Sequence, residues 1–425
     1  MLGEGVNAEE ATRGLAFVSP LPASPSADNM TKPMPPSTTP VRPPILIAGA
    51  SARAAAFSAL AAGLAPQTLD LFEDEDMAAS CPTVRITGYP RGFAVAARSL
   101  PASPWLYTGG LENHPRTVDT ISRERTLWGN GGAVLRRVRD PWDVAETLIA
   151  AKINVPKLRC ADDSQTASVD WLLKSTGSSG GLGVRLADEG LPPGSNPRRW
   201  YLQQRIVGRS VGAVFLAAAG AAKLLGVTEQ LVGTRWTGAP SFHYAGSLGP
   251  LRLTPRARAA IEHIGNCLAA EYGLVGLFGV DIIRDRQGRY WPVEVNPRYP
   301  ASSEVLELAS GVSIVGLHAR ACAAGTLPQF APLKPRGFVG KAVVYAPNDF
   351  VVRAAHNRRW HAASAMISSR YKVADIPSVS THVPAGAPVV TLIERGRDVV
   401  TVRGRLRNRS VALRKRLQLS SLRTL

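Results

Sequence analysis

Cysteines are few in this sequence and lie far apart along it. The chain has 425 residues and only four cysteines, at positions 81, 160, 267 and 322. No two of them stand at the short spacing typical of a pair of zinc ligands. The sequence therefore gives no indication of a thiolate metal site, and a reduced, cytoplasmic setting is the simplest interpretation.

Long apolar runs are missing as well. No run approaches the roughly twenty residues that a membrane span requires, so we expect no membrane partner. The hydrophobic content of 45% is that of a globular protein. The chain is long enough for two or three domains, because single cores rarely grow past about 250–300 residues.

Acidic residues are scarce relative to basic ones. The 32 acids stand against 50 lysines and arginines, which gives a formal net charge of +18. Such a balance suits a nucleic acid, a membrane surface or acidic small substrates. Because no nucleic-acid-binding motif with interleaved aromatic residues accompanies the charge, phosphate and carboxylate ligands are favoured, with nucleic acid as the minor alternative.

What stands out is residues 279–298, which read GVDIIRDRQGRYWPVEVNPR. Residues 280–283 and 290–295 form two alternating runs rich in β-branched and aromatic side chains. Residues 285–288 between them have the composition of a turn. The pattern predicts an antiparallel hairpin.

This hairpin would bring three oxygen ligands together. Since side chains alternate across a strand, Asp281 lies on the face opposite its apolar neighbours, while Glu294 and Asn296 share one face. Two carboxylates and an amide oxygen suit Mg²⁺ when substrate phosphates fill its remaining positions. A surface hairpin with solvated acids is the alternative from this stretch alone.

A second unusual stretch is residues 171–184, WLLKSTGSSGGLGV. A short apolar strand carries Lys174, and residues 175–183 are then almost entirely glycine and serine. Such a backbone can turn its N–H groups toward an anion without obstruction by Cβ atoms, so this flap could close over phosphates. It is neither a Walker A loop nor a G-x-G-x-x-G loop, and the alternative is a flexible linker.

Taken together, Lys174, the flap and the later D…E-V-N-P-R resemble the ATP-grasp superfamily over about residues 120–330. Within it, the chain is similar to predicted ATP-dependent carboligases such as tyramine–glutamate ligase, and to biotin-carboxylase-like enzymes. The resemblance implies an α/β fold with an α+β ATP-grasp part. It also implies an ATP- and Mg²⁺-dependent ligase that joins a carboxylate to an amine through an acyl phosphate, with glutamate and an amine of cofactor biosynthesis as first candidates. The alternatives are a biotin-carboxylase-like carboxylase and a non-catalytic ATP-binding regulator.

The resemblance further implies roles for individual residues. Mg²⁺, or Mn²⁺ in its place, would lie at the three hairpin ligands, and Arg298 would stabilise the anionic intermediate. Many family members hold a phosphate with a lysine near Pro141, where this chain has Arg137 and Arg139 as candidate substitutes. Small-molecule carboxylates and amines are the expected partners, and the protein would be compatible with a homodimer. The residues expected to bind ATP are Lys174, Ser178, Ser179, Gly180, Gly181, Gln204 and Ile206.

The sequence also predicts a domain layout. Residues 1–43 are expected to be a disordered lead-in with no secretory signal. Residues 44–118 are expected to form a Rossmann-like domain whose glycine pattern is too incomplete for a dinucleotide site. In it, Glu112 and Asn113 follow a strand at the edge where α/β sheets place ligands, either as substrate contacts or as turn formers. An ATP-grasp domain over 119–330, with a lid at about 157–207, would precede a small β domain with a basic tail over 331–425.

Overall fold

The computed structural model describes residues 42–161, 170–365 and 371–421. Its amino-terminal part is a parallel sheet in the order β3-β2-β1-β4, and the predicted lead-in lies almost wholly outside the described residues. The first strand forms because residues 45–48 are apolar and become fully buried between helices. The elements of this part are β1 Pro44–Gly49, α1 Arg53–Ala61, β2 Ala65–Asp70, α2 Glu75–Ala78, β3 Thr83–Arg85, α3 Arg91–Arg98, β4 Trp105–Tyr107 and α4 Pro115–Ser122.

Two helices, α5 (Gly132–Val138) and α6 (Pro141–Ala150), lead from this part into the next. The helical path is broken at residues 139–140, between α5 and α6. The break has a local cause: the Asp140 side chain accepts a hydrogen bond from the backbone N–H of Trp142 at 2.9 Å, and Pro141 occupies the first helical position. The break leaves Arg139 between the two helices.

A small antiparallel sheet follows, in the order β5-β8-β6-β7. Strand β6 (Trp171–Ser175) carries Lys174, and the flap connects it to β7 (Val184–Leu186). The elements are β5 Leu158–Cys160, β6 Trp171–Ser175, β7 Val184–Leu186 and β8 Trp200–Gln204.

The largest sheet is antiparallel, in the order β13-β12-β9-β10-β11-β14-β18-β16. The predicted hairpin is present at one edge as β12 and β13, with Asp281 directly opposite Glu294. Helices α7, α8 and α9 cover this sheet. The elements are β9 Gly208–Ala218, β10 Ala221–Val232, β11 Tyr244–Gly249, α7 Pro255–Tyr272, β12 Gly276–Asp285, β13 Tyr290–Asn296, α8 Ser303–Ser310 and α9 Ile314–Ala324.

The carboxyl-terminal segment does not stand apart from this sheet. Strand β14 pairs with β11 and so continues the same sheet past residue 330. The expected basic tail is a helix, α11, because Val402, Leu406 and Leu417 recur on one face and are buried in the core. The elements are β14 Phe338–Tyr345, β15 Phe350–Val351, α10 Ala354–Ala365, β16 Tyr371–Ala374, β17 His382–Val383, β18 Pro388–Gly396 and α11 Val399–Ser421.

Among the helices of residues 42–161, 170–365 and 371–421, no single one is long and apolar enough to span a bilayer. The pair α8 and α9 meets the length and composition criteria together, although it is bent by 107° at the break. Both helices contribute buried side chains to the protein core.

Candidate active site

A cleft lies between the small sheet, helix α6 and strand β13, with about 720 Å³ of space counting the solvent at its mouth. One half is apolar and suits a flat ring, and the other half is polar. The apolar side chains are Val144, Ala145, Leu148, Val155, Leu158, Val293 and Val295, and the polar ones include Arg139, Lys174, Ser178, Ser179, Gln203 and Glu294.

Lys174, one of the residues expected to bind ATP, lies inside this cleft. Its side chain is brought there by β6, and the residue is only 8% exposed. The ammonium donates to the Gln203 side-chain oxygen at 3.2 Å and to the Val293 carbonyl at 3.1 Å. Both acceptors are neutral, so a charge remains for an anionic ligand in the cleft.

The three predicted metal ligands are brought together by the hairpin. Asp281 faces Glu294 across the two strands, and the Asn296 amide donates to Asp281 Oδ2 at 3.1 Å. Gln230 donates to the other Asp281 oxygen at 2.7 Å. Within the described ranges, no hydrogen bond is made to Glu294 Oε2, and no group of three or more His, Cys, Asp or Glu side chains is placed to hold a metal ion. Two carboxylates and an amide oxygen fit Mg²⁺ only if a ligand supplies further oxygens.

The two carboxylates differ in their acidity. Burial, and after it the charge of Glu294, raises the pKa of Asp281 to about 6. Burial also acts to raise the pKa of Glu294, but the charges of Arg139 and Lys174 outweigh it and hold that pKa below its ordinary value. At neutral pH, both groups are therefore available as anionic ligands.

Arg139 is one of the two arginines expected to substitute for the family's lysine near Pro141. Its guanidinium donates to Glu294 at 2.7 Å, to the Asn113 side chain at 3.0 Å and to the Ser178 carbonyl at 2.9 Å. By contrast, Arg137 is about half exposed and pairs with carboxylates outside the cleft. Of the two candidate substitutes, only Arg139 reaches the cleft.

The flap lies over the polar half of the cleft. Within the described residues, the backbone N–H groups of positions 178–181 make no hydrogen bonds, while the carbonyl of Gly180 accepts from the Tyr244 N–H at 3.0 Å. Gly180 and Gly181 have positive φ angles of +63° and +82°. Four free N–H groups on a glycine-rich turn form a concave anion site.

Loop residues of the amino-terminal part hold this flap. The Ser179 hydroxyl donates to Glu112 at 3.1 Å and accepts from the Asn113 amide at 2.8 Å. Both residues follow β4 at the carboxyl edge of the parallel sheet. Sequence reasoning singled them out as either substrate contacts or turn formers, and the structure gives them contacts with the flap.

Arg298 lies between this loop and the hairpin. It donates to Glu112 at 3.0 Å and to the Asn296 side-chain oxygen at 2.9 Å. Glu112 is only 1% exposed, and its second carboxylate oxygen makes no hydrogen bond in the part of the chain that the structure describes. An unpaired buried carboxylate oxygen is costly, so Glu112 is a candidate functional residue in its own right.

Two of the residues expected to bind ATP, Gln204 and Ile206, lie outside the cleft lining. Side chains alternate along β8, so Tyr201 and Gln203 line the cleft, whereas the side chain of Gln204 accepts a hydrogen bond from the Lys157 N–H at 3.3 Å. Ile206 lies beyond the strand and is half-buried. Strand alternation along β8 was the sequence signal that could have pointed to Tyr201 and Gln203.

Comparison with known families agrees with this geometry. Residues 138–302 match the family model of the ATP-grasp domain. The chain therefore carries an ATP-grasp domain, and the resemblance drawn from its sequence motifs is confirmed at the level of the superfamily. A comparison with curated protein sequences gives no match.

Solved structures share the fold across most of the chain. An N5-carboxyaminoimidazole ribonucleotide synthetase bound to ADP is 17% identical, with a TM-score of 0.65, and the match covers 89% of this chain and 99% of that one. The corresponding Thermotoga maritima synthetase is 13% identical, with a TM-score of 0.60 over 87% and 98% of the two chains. The biotin carboxylase domain of Hydrogenobacter thermophilus 2-oxoglutarate carboxylase, solved with MgADP and bicarbonate, is 16% identical, with a TM-score of 0.65 over 86% and 88%. The predicted α/β architecture with an ATP-grasp core is thereby confirmed.

Proposed function

We propose that this protein is an ATP- and Mg²⁺-dependent ligase that activates a carboxylate as an acyl phosphate and passes it to an amine. One observation carries the proposal: flap residues Ser178, Ser179 and Gly181 line the same cleft as Lys174 and the hairpin carboxylate Glu294. The apolar half would take the adenine ring, and the polar half would take the phosphates. The relatives that bind ADP have the same fold.

The hairpin would hold the metal ion. Asp281, Glu294 and Asn296 offer oxygen donors on one face, and Glu294 has an oxygen free to accept a further ligand. When bound, Mg²⁺ would offset the negative charge of the phosphates. The contact between Glu294 and the metal would then replace the ion pair between Arg139 and Glu294.

Arg298 would bind the second reactant. Its planar guanidinium suits a carboxylate or an acyl phosphate, and Glu112 and Asn296 fix its orientation through two hydrogen bonds. The substrate carboxylate would attack the terminal phosphorus of ATP and release ADP. The amine would then attack the acyl carbon, and inorganic phosphate would leave. Catalysis of this kind depends on placement and electrostatic stabilisation, without a protein nucleophile.

The flap would protect the intermediate. An acyl phosphate is destroyed by water, so the site must close before it forms. The bonds from Ser179 to Glu112 and Asn113 show how the flap is held against the amino-terminal part. We expect ATP alone to protect positions 178–181 from hydrogen exchange partly, and ATP with the correct carboxylate to protect them much more.

The substrate pair is a finer proposal. The sequence resemblance to tyramine–glutamate ligase makes glutamate and a primary amine such as tyramine the first pair to test, in a cytoplasmic biosynthetic reaction. Bicarbonate is the second candidate for the activated carboxylate, because a neighbour in the fold comparison was solved with bicarbonate. A regulator that binds ATP without turnover would need neither.

A screen of carboxylates and amines scored by phosphate release tests the proposal. Glutamate and bicarbonate are separate arms, each with and without an amine. The double variant Glu294→Ala/Asn296→Ala should stay folded and lose Mg²⁺-dependent turnover, because both residues would act as metal ligands. Turnover near the unmodified rate in that variant would remove the metal assignment. Tight ATP binding with no release in any arm would favour the regulator.

A further inference from the structure

A second concave surface lies outside the nucleotide cleft, between helices α3 and α4. It has about 1220 Å³ of space, counting the solvent at its mouth. Four arginines line this arginine groove, and none of its lining residues is acidic. The lining residues are Pro90, Arg91, Ala94, Val95, Arg98, Asn113, His114, Pro115, Arg116, Thr117, Thr120 and Arg136.

Two of the arginines are weakly paired. Arg98 donates to Glu124 at 3.0 Å, and Arg136 donates to Asp119 at 3.3 Å. All four side chains of these pairs are more than a third exposed, and exposed pairs of this kind contribute little to stability. An anion entering the groove could therefore compete for both guanidinium groups.

The other two arginine side chains are unpaired within the described residues. Arg91 and Arg116 are exposed, and neither side chain makes a hydrogen bond or an ion pair with any described residue. Each follows a proline at the start of its helix. Both residues line the same groove, and guanidinium groups suit the binding of a phosphate or a carboxylate.

The position of the groove connects it to the active site. Asn113 lines the groove and also binds Ser179 of the flap at 2.8 Å. Its neighbour Glu112 binds Arg298 at 3.0 Å. The adjacent residues 112 and 113 therefore connect the groove to the flap and to Arg298.

We propose that the arginine groove binds a second anionic group, a phosphate or a carboxylate, on a substrate whose reacting end lies at Arg298. The inference rests on the proposed ligase function for the reacting end, but not for the anion site itself. It narrows the substrate class to molecules with an anionic tail beyond the reacting group. A substrate pair of a neutral amine and a simple monocarboxylic acid has no such tail and is therefore excluded.

Calorimetric titration of the full chain tests the anion site. Mg²⁺ and a non-hydrolysable ATP analogue are kept saturating so that the nucleotide cleft is occupied. Inorganic phosphate and glutarate are the two probes, and the probe that binds identifies the tail as phosphate or carboxylate. The double variant Arg91→Gln/Arg116→Gln should bind that probe at least about tenfold more weakly, because it loses two charge-assisted contacts.

A matched control is available in the same chain. Arg252 and Arg256 are exposed, unpaired arginines near the start of α7, and Arg256 also follows a proline. The variant Arg252→Gln/Arg256→Gln removes the same charge and should bind the probe as the unmodified protein does. Equal weakening in both variants, or no binding of either probe, would overturn the groove assignment. Probe binding that depends on the groove, with no turnover in the substrate screen, would instead overturn the ligase proposal alone.

Discussion

Arg139 offers the sharpest test of the site, because one side chain connects a metal ligand, the flap and the amino-terminal loop. Replacing it by glutamine keeps a polar side chain and removes the charge. Glu294 then loses its 2.7 Å partner, and the flap loses the bond to the Ser178 carbonyl. In the protein without nucleotide, the variant should be less stable than the unmodified protein.

The magnitude follows from the burial of the pair. Removing one partner of a fully buried ion pair costs about 3–5 kcal/mol. The Glu294 side chain keeps 26% exposure and that of Arg139 12%, so solvent and Lys174 compensate for part of the loss. We expect a loss of about 2 kcal/mol in the free energy of unfolding. The lost ion pair should also let the pKa of Glu294 rise toward its ordinary value.

The dependence on Mg²⁺ is the diagnostic result. A bound metal ion neutralises Glu294, so the energetic penalty of the variant should shrink when Mg²⁺ and a non-hydrolysable ATP analogue are present. Thermal unfolding with and without the two ligands measures this difference. The variant Arg137→Gln is the control, since Arg137 lies outside the cleft.

Two results would refute the reasoning about Arg139. One is the same loss of stability with and without Mg²⁺ and nucleotide, which would mean that Glu294 does not meet the metal. The other is a loss in Arg137→Gln as large as that in Arg139→Gln. Either outcome would make the ion pair purely structural.

Three further predictions concern the flap, the lysine and a buried acid. Lys174→Met should weaken binding of ATP and ADP by about 1–3 kcal/mol in calorimetry and leave adenosine almost unaffected, because the ammonium meets phosphate; equal ATP affinity in both proteins would contradict this. Gly181→Ala should abolish nucleotide-dependent protection of the flap from hydrogen exchange, because a Cβ there would lie 2.0 Å from the Phe242 carbonyl oxygen. The control Gly180→Ala should have a milder effect, because a Cβ at that position has no atom within 4 Å. Similar hydrogen exchange in the two variants would count against the close approach at Gly181. Burial raises the pKa of Glu307 to about 7, so the contribution of its protonated form to stability is complete below about pH 4 and is lost as the pH rises through 7. Glu307→Gln should therefore flatten the dependence of the melting temperature on pH between 5 and 8. An unchanged slope would refute the assignment.

Local patterns were enough to predict the parts of the site that lie on regular strands. The alternation in residues 280–283 and 290–295 predicted a hairpin that the structure contains, with Asp281 opposite Glu294. The apolar residues around Lys174 predicted a short strand before the glycine-rich flap, and the structure contains it as β6. In each case, the period of two in a strand fixes which face a side chain takes.

The remaining parts depend on contacts between distant segments. No local pattern shows that Arg139 meets a carboxylate 155 positions later in the chain, or that Glu112 pairs with Arg298 across 186 positions. Gln203, and not Gln204, lines the cleft because side chains alternate along β8. The basic terminal segment became a helix because its apolar residues could pack on β14 and β18, and composition alone emphasised the charges.

The pairing of β11 with β14 limits how the chain can be divided. A protein shortened after residue 330 would keep every residue of the nucleotide cleft, yet it would expose the backbone N–H and C=O groups of β11 along Gly246–Gly249. A bare edge strand next to uncovered apolar side chains is a template for aggregation. The ATP-grasp part should therefore be soluble only with its carboxyl-terminal strands attached, and activity lost on truncation would not by itself assign catalytic residues to that segment.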